Sequence, residues 1–287
     1  MKTENTLDPA IAWAQEKYLA KGLFRNSRDL SISEVRKAIL SAAEDMLKQT
    51  NQGIPLDPKS IAPLRRIRTI IETELSVDAI LIPEVGGFAV KIQKDLHPFK
   101  KRYAIAHEIG HTFFFNIEVD PPRREFEYQK SSYWVQEELS CAIAREILVP
   151  RFSLLPLVEN GRIQPSVNAL RYLSALYQVS FDVLRMRLIN DLPLWDCVVL
   201  ESTVTEGKVL TKGRDISKGK THRSFVMPRA IEWSGKLSKL FYIISATLSE
   251  KRIKDSMEVE NKKYSVETLL LDPAKQTVIT LLAESIE

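Results

Sequence analysis

The chain has 287 residues, of which 44% are hydrophobic and 27% are charged, and its formal net charge is +4. This composition is that of an ordinary folded protein and excludes a disordered or low-complexity chain. The positive charge is too mild to argue for nucleic-acid binding, and the length favours two domains with a helical extension.

The beginning of the chain and its cysteine content point to one compartment. Residues 1–8 contain no apolar core of the kind a signal peptide needs, and no apolar run approaches the length of a membrane span. The two cysteines, Cys141 and Cys197, lie far apart and lack paired metal-binding spacing. We therefore expect a cytoplasmic protein without a membrane partner, exclude a structural zinc finger and disfavour a disulfide.

The first third of the chain alternates between helical and strand patterns. Residues 9–50 have helical spacing, and Asp57-Pro58 is expected to begin a helix that carries Ile61, Leu64, Ile67 and Ile71. Residues 77–82 and 87–92 are predicted to form two strands of a small β-sheet. An edge of such a sheet can hold a peptide as an added strand.

A histidine motif follows within an apolar segment, residues 104–115. Four-residue spacing places His107 and His111 on one helical face, where two imidazoles can reach one metal ion. Glu108 is rotated away from that face, as is the general base of a zinc peptidase. A solvent-facing His-Glu-His cluster is the alternative, and the apolar surroundings argue against it. His97 precedes this helix and is not expected to be a ligand.

A third protein ligand is expected from the next predicted helix, residues 135–148. Glu137 shares its helical stripe with Ser140 and Cys141, small residues that permit close helix packing. We therefore predict that Glu137 binds the metal and that Glu138 meets solvent or an arginine. The alternative is that both acids are surface charges.

The rest of the chain divides into a helical pair and a β-rich tail. The pattern of residues 166–189 predicts two short helices that resemble a helix-turn-helix. Arg171, Arg185 and Arg187 would then be available for phosphates. The favoured interpretation is that this helical pair only forms a wall of the catalytic cleft. Beyond residue 193 we expect strands around 197–200, 208–210, 266–271 and 277–282, and either a helix or a strand near 237–248. A basic run over residues 208–229 could bind nucleic acid or an acidic partner, but a solvated loop is the favoured interpretation because aromatic residues are not interleaved with it. His222 within this run is left out of the metal site.

The motif residues resemble those of the ImmA/IrrE family of metallopeptidases. The resemblance rests on Tyr103–His111, which reads YAIAHEIGH, on the later Glu137-x-x-Ser140 and on Ile147–Pro150, and it covers roughly residues 53–192. It departs from the family pattern at Ser140, Cys141 and Ile143, which are interpreted as packing substitutions. The resemblance implies that His107, His111 and Glu137 bind Zn²⁺ and that Glu108 is the catalytic acid/base.

The resemblance also implies a regulatory role. Members of the family cut repressors with helix-turn-helix domains in mobile elements or stress responses, and radiation-resistance members carry a GAF-like sensor where this tail lies. We therefore expect an α+β fold: a mainly helical zincin-like peptidase domain with a small β-sheet (51–155), an N-terminal helical extension (1–50), a helix-turn-helix-like segment (156–193) and a C-terminal α+β domain (194–287).

The function expected from the sequence is zinc-dependent endopeptidase activity on a helix-turn-helix transcriptional repressor, through metal-activated water attack. The rival is a non-proteolytic, zinc-containing DNA-binding or sensor regulator, and a protease gated by a sensing tail is a further alternative. Tyr128 and Tyr133 are candidate oxyanion donors. Nucleic-acid binding and the oligomeric state are left open.

Overall fold

A computed structural model describes eight stretches of the chain. They are residues 32–50, 52–124, 130–159, 162–205, 208–216, 230–232, 238–259 and 262–284. The predicted helix within residues 9–31, together with Tyr128, His222 and most of the basic run, lies outside them. No helix in these stretches combines the length and the apolarity that crossing a membrane requires.

The described residues form two compact units. One contains the residues up to Leu154 together with Tyr177–Val179, and the other contains Leu155–Leu176 and the residues from Ser180 onward. Both units combine helices with a β-sheet, so the expected α+β class is confirmed. The division into four functional segments and the zincin-like character of residues 51–155 remain predictions.

The first unit holds four helices and five strands among its described residues, joined by short 3₁₀ turns. In chain order they are α1 (Ile32–Lys48), α2 (Pro58–Ile61), β1 (Ile67–Thr73), β2 (Ala79–Glu84), β3 (Gly87–Gln93), α3 (Pro98–His111), β4 (Phe115–Asn116), β5 (Arg123–Arg124) and α4 (Lys130–Leu148). A further helix, α5 (Arg151–Val158), begins in this unit and ends in the other.

The helix predicted from Asp57 ends much earlier than expected. Asp57 caps α2 as predicted, but a 3₁₀ turn follows and Arg66 adopts a left-handed conformation with φ of 59°. Ile67 and Ile71 then lie on strand β1 instead of a helix. The β-branched residues of this stretch suit an extended backbone, and pairing with β3 satisfies their peptide groups.

Strand β3 lies at the centre of the three-stranded sheet, whose order is β1-β3-β2. It runs parallel to β1 and antiparallel to β2, which leaves β2 at an edge. Phe88, Val90 and Ile92 alternate along β3 and are fully buried on one face. Because α3 contacts both β2 and β3, the motif helix lies beside that edge strand.

Helices α3 and α4 cross at their closest around Gly110. A Cβ atom added to Gly110 would lie 2.8 Å from the carbonyl oxygen of Ser140 and 3.0 Å from its Cα. Since these are backbone atoms, the two helices must separate to admit any side chain there. The small residues predicted to permit close helix packing therefore do so at this crossing.

This crossing makes a testable prediction about stability. Gly110→Ala is expected to lower the free energy of unfolding by about 1–3 kcal/mol through overpacking, although Ala favours a helix by about 1 kcal/mol. The measurement is the urea unfolding midpoint of the metal-free protein. Gly53→Ala is the matched control, because no atom lies within 4 Å of its added Cβ. Equal effects of the two substitutions would contradict the packing argument.

The second unit is built on a six-stranded antiparallel sheet. Its elements in chain order are α6 (Val167–Tyr177), α7 (Phe181–Arg185), a π-helical segment (Met186–Asp191), β6 (Val198–Thr205), β7 (Lys208–Ile216), β8 (Ala230–Glu232), α8 (Ser238–Glu250), β9 (Arg252–Val259), β10 (Lys262–Asp272) and β11 (Thr277–Glu284). The strands of the sheet lie in the order β8-β7-β6-β11-β10-β9. One face of the sheet and α8 share a buried apolar core.

Several predictions about this second unit are confirmed. The strands expected at 208–210, 266–271 and 277–282 lie within β7, β10 and β11, and β10 pairs with β11 across the predicted turn. The strand expected at 197–200 is present as β6, which begins one residue later at Val198. The ambiguous segment near 237–248 is a helix, α8, and the strand interpretation of its apolar run is wrong. The helical pair expected at 166–189 is present, and Ser180 caps its second member.

Candidate metal centre

Helix α3 presents the two motif histidines one turn apart. It begins at Pro98, and the Nδ1 atom of His97 accepts a hydrogen bond from the N–H of Phe99 at 3.3 Å. His97 therefore caps the helix, consistent with its exclusion from the ligand set. His107 and His111 lie on the last two turns, and their Nε2 atoms are 3.0 Å apart.

The carboxylate of Glu137 completes a group of three donors. Its Oε2 lies 3.3 Å from Nε2 of His107, and its Oε1 lies 3.4 Å from Nε2 of His111. In the described part of the chain this is the single group of three or more potential ligands within metal-binding range. Donors about 2.0–2.2 Å from a tetrahedral ion are separated by about 3.3 Å. The two nitrogens and the carboxylate oxygens have this spacing, so the group can hold a metal ion.

The neighbouring acid has a different role, as predicted. Oε1 of Glu138 accepts a hydrogen bond of 2.7 Å from Nη1 of Arg36, which links α4 to α1. Because residues 137 and 138 point in different directions on a helix, one acid reaches the histidines while the other forms an ion pair. Glu137 and Glu138 are therefore not equivalent surface charges.

The far sides of both imidazoles face hydroxyl and thiol groups. Oγ of Ser140 lies 3.2 Å from Nδ1 of His111, and Sγ of Cys141 lies 3.7 Å from Nδ1 of His107. The ring of Tyr103 stacks on that of His107, and burial together with the neighbouring Cys141 raises the pKa of Tyr103. The interpretation of Ser140 and Cys141 as packing substitutions is therefore incomplete. Their positions three and four residues after Glu137 signal that they share its face.

The two imidazoles differ in their affinity for a proton. Burial lowers the pKa of His107, but hydrogen bonds to Cys141 and Glu137 outweigh it and raise this pKa to about 10. Burial and the charge of His107 lower the pKa of His111 to about 4. The hydrogen bond from His107 also lowers the pKa of Glu137. The surroundings of the two imidazoles thus shift their pKa values in opposite directions.

Glu108 is buried beside the group of three but does not belong to it. Burial raises the pKa of its carboxyl to about 7, an effect opposed by the charge of His107 and by a hydrogen bond from the backbone of Leu81 on β2. A cation bound nearby would lower this pKa again. The geometry therefore allows Glu108 to accept and donate protons beside a metal ion, but not to act as one of its ligands.

Arg124 is a further positive charge at this centre that the sequence interpretation missed. Its charge lowers the pKa values of Glu108, His111 and Glu137, and its guanidinium lies 5.1 Å from the ring centre of Phe115. Strand β5 pairs with β4 immediately after the motif helix, which places Arg124 there. The neighbouring sequence does not indicate this position, because it depends on the pairing of β5 with β4.

The arginines predicted to be available for phosphates are not equivalent in the structure. Arg187 is fully buried and lies 3.8 Å from Asp191, and Arg185 donates a hydrogen bond of 2.7 Å to Asp182. The prediction that Arg187 is available for phosphates is therefore wrong, since both its apolar stem and its charged group are buried. Arg171 is exposed. The described side chains thus add little to the case for a nucleic-acid interface.

Comparison with known proteins supports the fold alone. No protein-family model matches the chain, and no curated protein matches it. Among solved structures, a Mycobacterium tuberculosis transcriptional regulator is similar, with a TM-score of 0.57 and 13% sequence identity. The match covers 96% of this chain and 81% of the other.

Proposed function

We propose that this chain is a zinc-dependent endopeptidase with a regulatory substrate. The observation that carries the proposal is the convergence of His107, His111 and Glu137 at tetrahedral ligand spacing with the buried carboxyl of Glu108 beside them. Three protein ligands leave one position open, as catalytic zinc sites require, whereas structural sites close with a fourth ligand. A structural site would also have no use for Glu108.

The proposed chemistry divides the work between a metal and the chain's own groups. Zinc bound to the three ligands supplies Lewis-acid polarisation of a peptide carbonyl and makes water more acidic. Glu108 accepts the proton from the attacking water and passes it to the leaving amine. Arg124 adds a positive charge that lowers the pKa values of Glu108, His111 and Glu137, and a charge of this sign would favour a developing oxyanion at the centre. Of the two candidate oxyanion donors, Tyr133 lies on α4, but the structure does not describe its side chain.

The edge of the small sheet offers a place for the substrate. Strand β2 has one free edge in the described structure, and the backbone of its Leu81 is near enough to Glu108 to lower the pKa of this carboxyl. A peptide that pairs with this edge would be held extended next to the general base. This arrangement favours an unfolded or loop segment of a protein substrate over a folded surface.

The regulatory part of the proposal rests on resemblance. The motif resembles the ImmA/IrrE metallopeptidases, and a solved structure that is similar in fold is titled a transcriptional regulator. Both are compatible with a role in controlling transcription, and the resemblance alone suggests a helix-turn-helix repressor as the substrate class.

Metal removal tests the peptidase activity directly. Wild-type protein is expected to cleave members of a combinatorial peptide library. Its cleavage activity should be lost after dialysis against a chelator and should return when one equivalent of zinc is added. Mass spectrometry of the library identifies the cut bonds. Cleavage that persists in the metal-free protein would contradict a metal-dependent mechanism.

The rival function is a non-proteolytic regulator that binds DNA or senses a ligand. The likeness in fold to a transcriptional regulator favours it, while the enclosure of Arg187 and the pairing of Arg185 weaken its DNA-binding form. Salt-sensitive binding of the full chain to DNA, without cleavage of any peptide, would support this rival.

A further inference from the structure

The side of each motif imidazole that faces away from Glu137 has a defined partner on the same helix, α4. Ser140, which is fully buried, lies 3.2 Å from Nδ1 of His111, and Cys141 lies 3.7 Å from Nδ1 of His107. One helix therefore brings a carboxylate to the Nε2 atoms and a hydroxyl or thiol to the Nδ1 atoms.

The two sides of each ring compete for its proton. A neutral imidazole carries one N–H, on either Nδ1 or Nε2, and only a nitrogen without a proton can bind a metal. Glu137 lies 3.4 Å from Nε2 of His111 and, as an anion, attracts the proton to that nitrogen. A hydroxyl acceptor at Nδ1 opposes this attraction and leaves Nε2 with its lone pair.

We propose that Ser140 is a positioning residue that holds His111 in the Nδ1–H tautomer, with Cys141 in the same but weaker role for His107. The inference rests on the proposed metal site and deepens it. Ser140 accepts the hydrogen bond through its hydroxyl oxygen, so Nε2 of His111 is ready to bind a cation. The thiol of Cys141 is a weak acceptor at a longer distance, so its contribution is smaller.

The close crossing of the helices makes Ser140 suited to this role. Its backbone is against Gly110, the residue before His111, and that contact fixes the separation of the two helices beside the ring. A partner fixed by backbone packing orients a ligand better than one on a mobile side chain. Partners of this kind typically change metal affinity by about 10–100-fold.

The test measures zinc affinity by competition with a chromophoric chelator. Ser140→Ala is expected to weaken zinc binding by about tenfold or more, and Cys141→Ala by less. Ser140→Cys, which restores a weak acceptor of similar size, should recover part of the loss. Ser153→Ala is the matched control, because it removes a helical hydroxyl that contacts Pro150 and Tyr177 instead of a histidine.

A second readout separates positioning from packing. Long-range ¹⁵N–¹H spectra of the metal-free protein should show His111 protonated at Nδ1 in the wild type and a shift of the proton to Nε2 in Ser140→Ala. Wild-type affinity and an unchanged tautomer in Ser140→Ala would overturn the inference. So would equal losses in Ser140→Ala and Ser153→Ala.

Failure of the metal site itself gives a different result. If the wild type binds no zinc at all, the proposed function fails, while the tautomer spectra still decide the role of Ser140. If zinc binds normally but Ser140→Ala behaves as the wild type, the peptidase proposal stands and only this inference is lost.

Discussion

Glu108→Gln is expected to keep its metal and to lose peptide cleavage by about 10²–10⁴-fold, the usual contribution of general acid–base catalysis. The carboxyl lies beside the three donors without belonging to them, so replacing it leaves the ligand set intact. The amide oxygen of Gln still accepts the hydrogen bond from Leu81, which preserves the local structure. Only the ability to take up and release a proton is removed.

The measurement is the cleavage rate per bound zinc for each variant. Glu138→Gln is the matched control, because it makes the same change one residue after a ligand, where the carboxylate pairs with Arg36. That control should cleave at the wild-type rate. Wild-type cleavage by Glu108→Gln would remove Glu108 from the mechanism.

The inactive variant also gives access to the substrate. Glu108→Gln should retain a bound protein that the wild type cuts and releases, so capture followed by mass spectrometry identifies it. A helix-turn-helix repressor that is cleaved by the wild type and only bound by the variant would support the regulatory proposal.

His111→Ala and Glu137→Ala are each expected to reduce bound zinc from about one ion per chain to almost none. Each removes one of three donors, and two remaining ligands do not hold zinc against exchange with buffer. The loss of zinc affinity should exceed the effect of changing a hydrogen-bond partner of a ligand, which is about 10–100-fold. Metal analysis of the purified proteins after equilibration with limiting zinc measures it.

His97→Ala is the control for these ligand variants. It changes a histidine of the same helix that caps its beginning, and it should retain a full equivalent of zinc. Retention of zinc by Glu137→Ala would remove this residue from the ligand set. A wild type without metal, even after zinc is supplied, would move the weight to the non-proteolytic regulator.

The sequence was sufficient to place the three donors together, because helical spacing is local. His107 and His111 needed only one turn of α3, and Glu137 needed only a second helix with small neighbours to approach it. Glu138 was expected to meet solvent or an arginine, and it pairs with Arg36. Bringing the three donors together was therefore a question of periodicity.

Other features were beyond the sequence because they depend on distant contacts. Ile67 and Ile71 fit a helical pattern as well as a strand, and only pairing with β3 decides between them. The burial of Arg187 required the fold of the second unit, and the position of Arg124 required the pairing of β4 with β5. The partners of the Nδ1 atoms required the crossing at Gly110.

The placement of the donors on two helices has a consequence for the lifetime of the protein. A cation held jointly by α3 and α4 is a reversible cross-link that exists only in the folded chain. Free zinc at a hundred times the dissociation constant would add about 2.7 kcal/mol to stability, so degradation would be slower when zinc is plentiful. The abundance of such a protein would then follow the zinc supply of the cell, without any change in its synthesis.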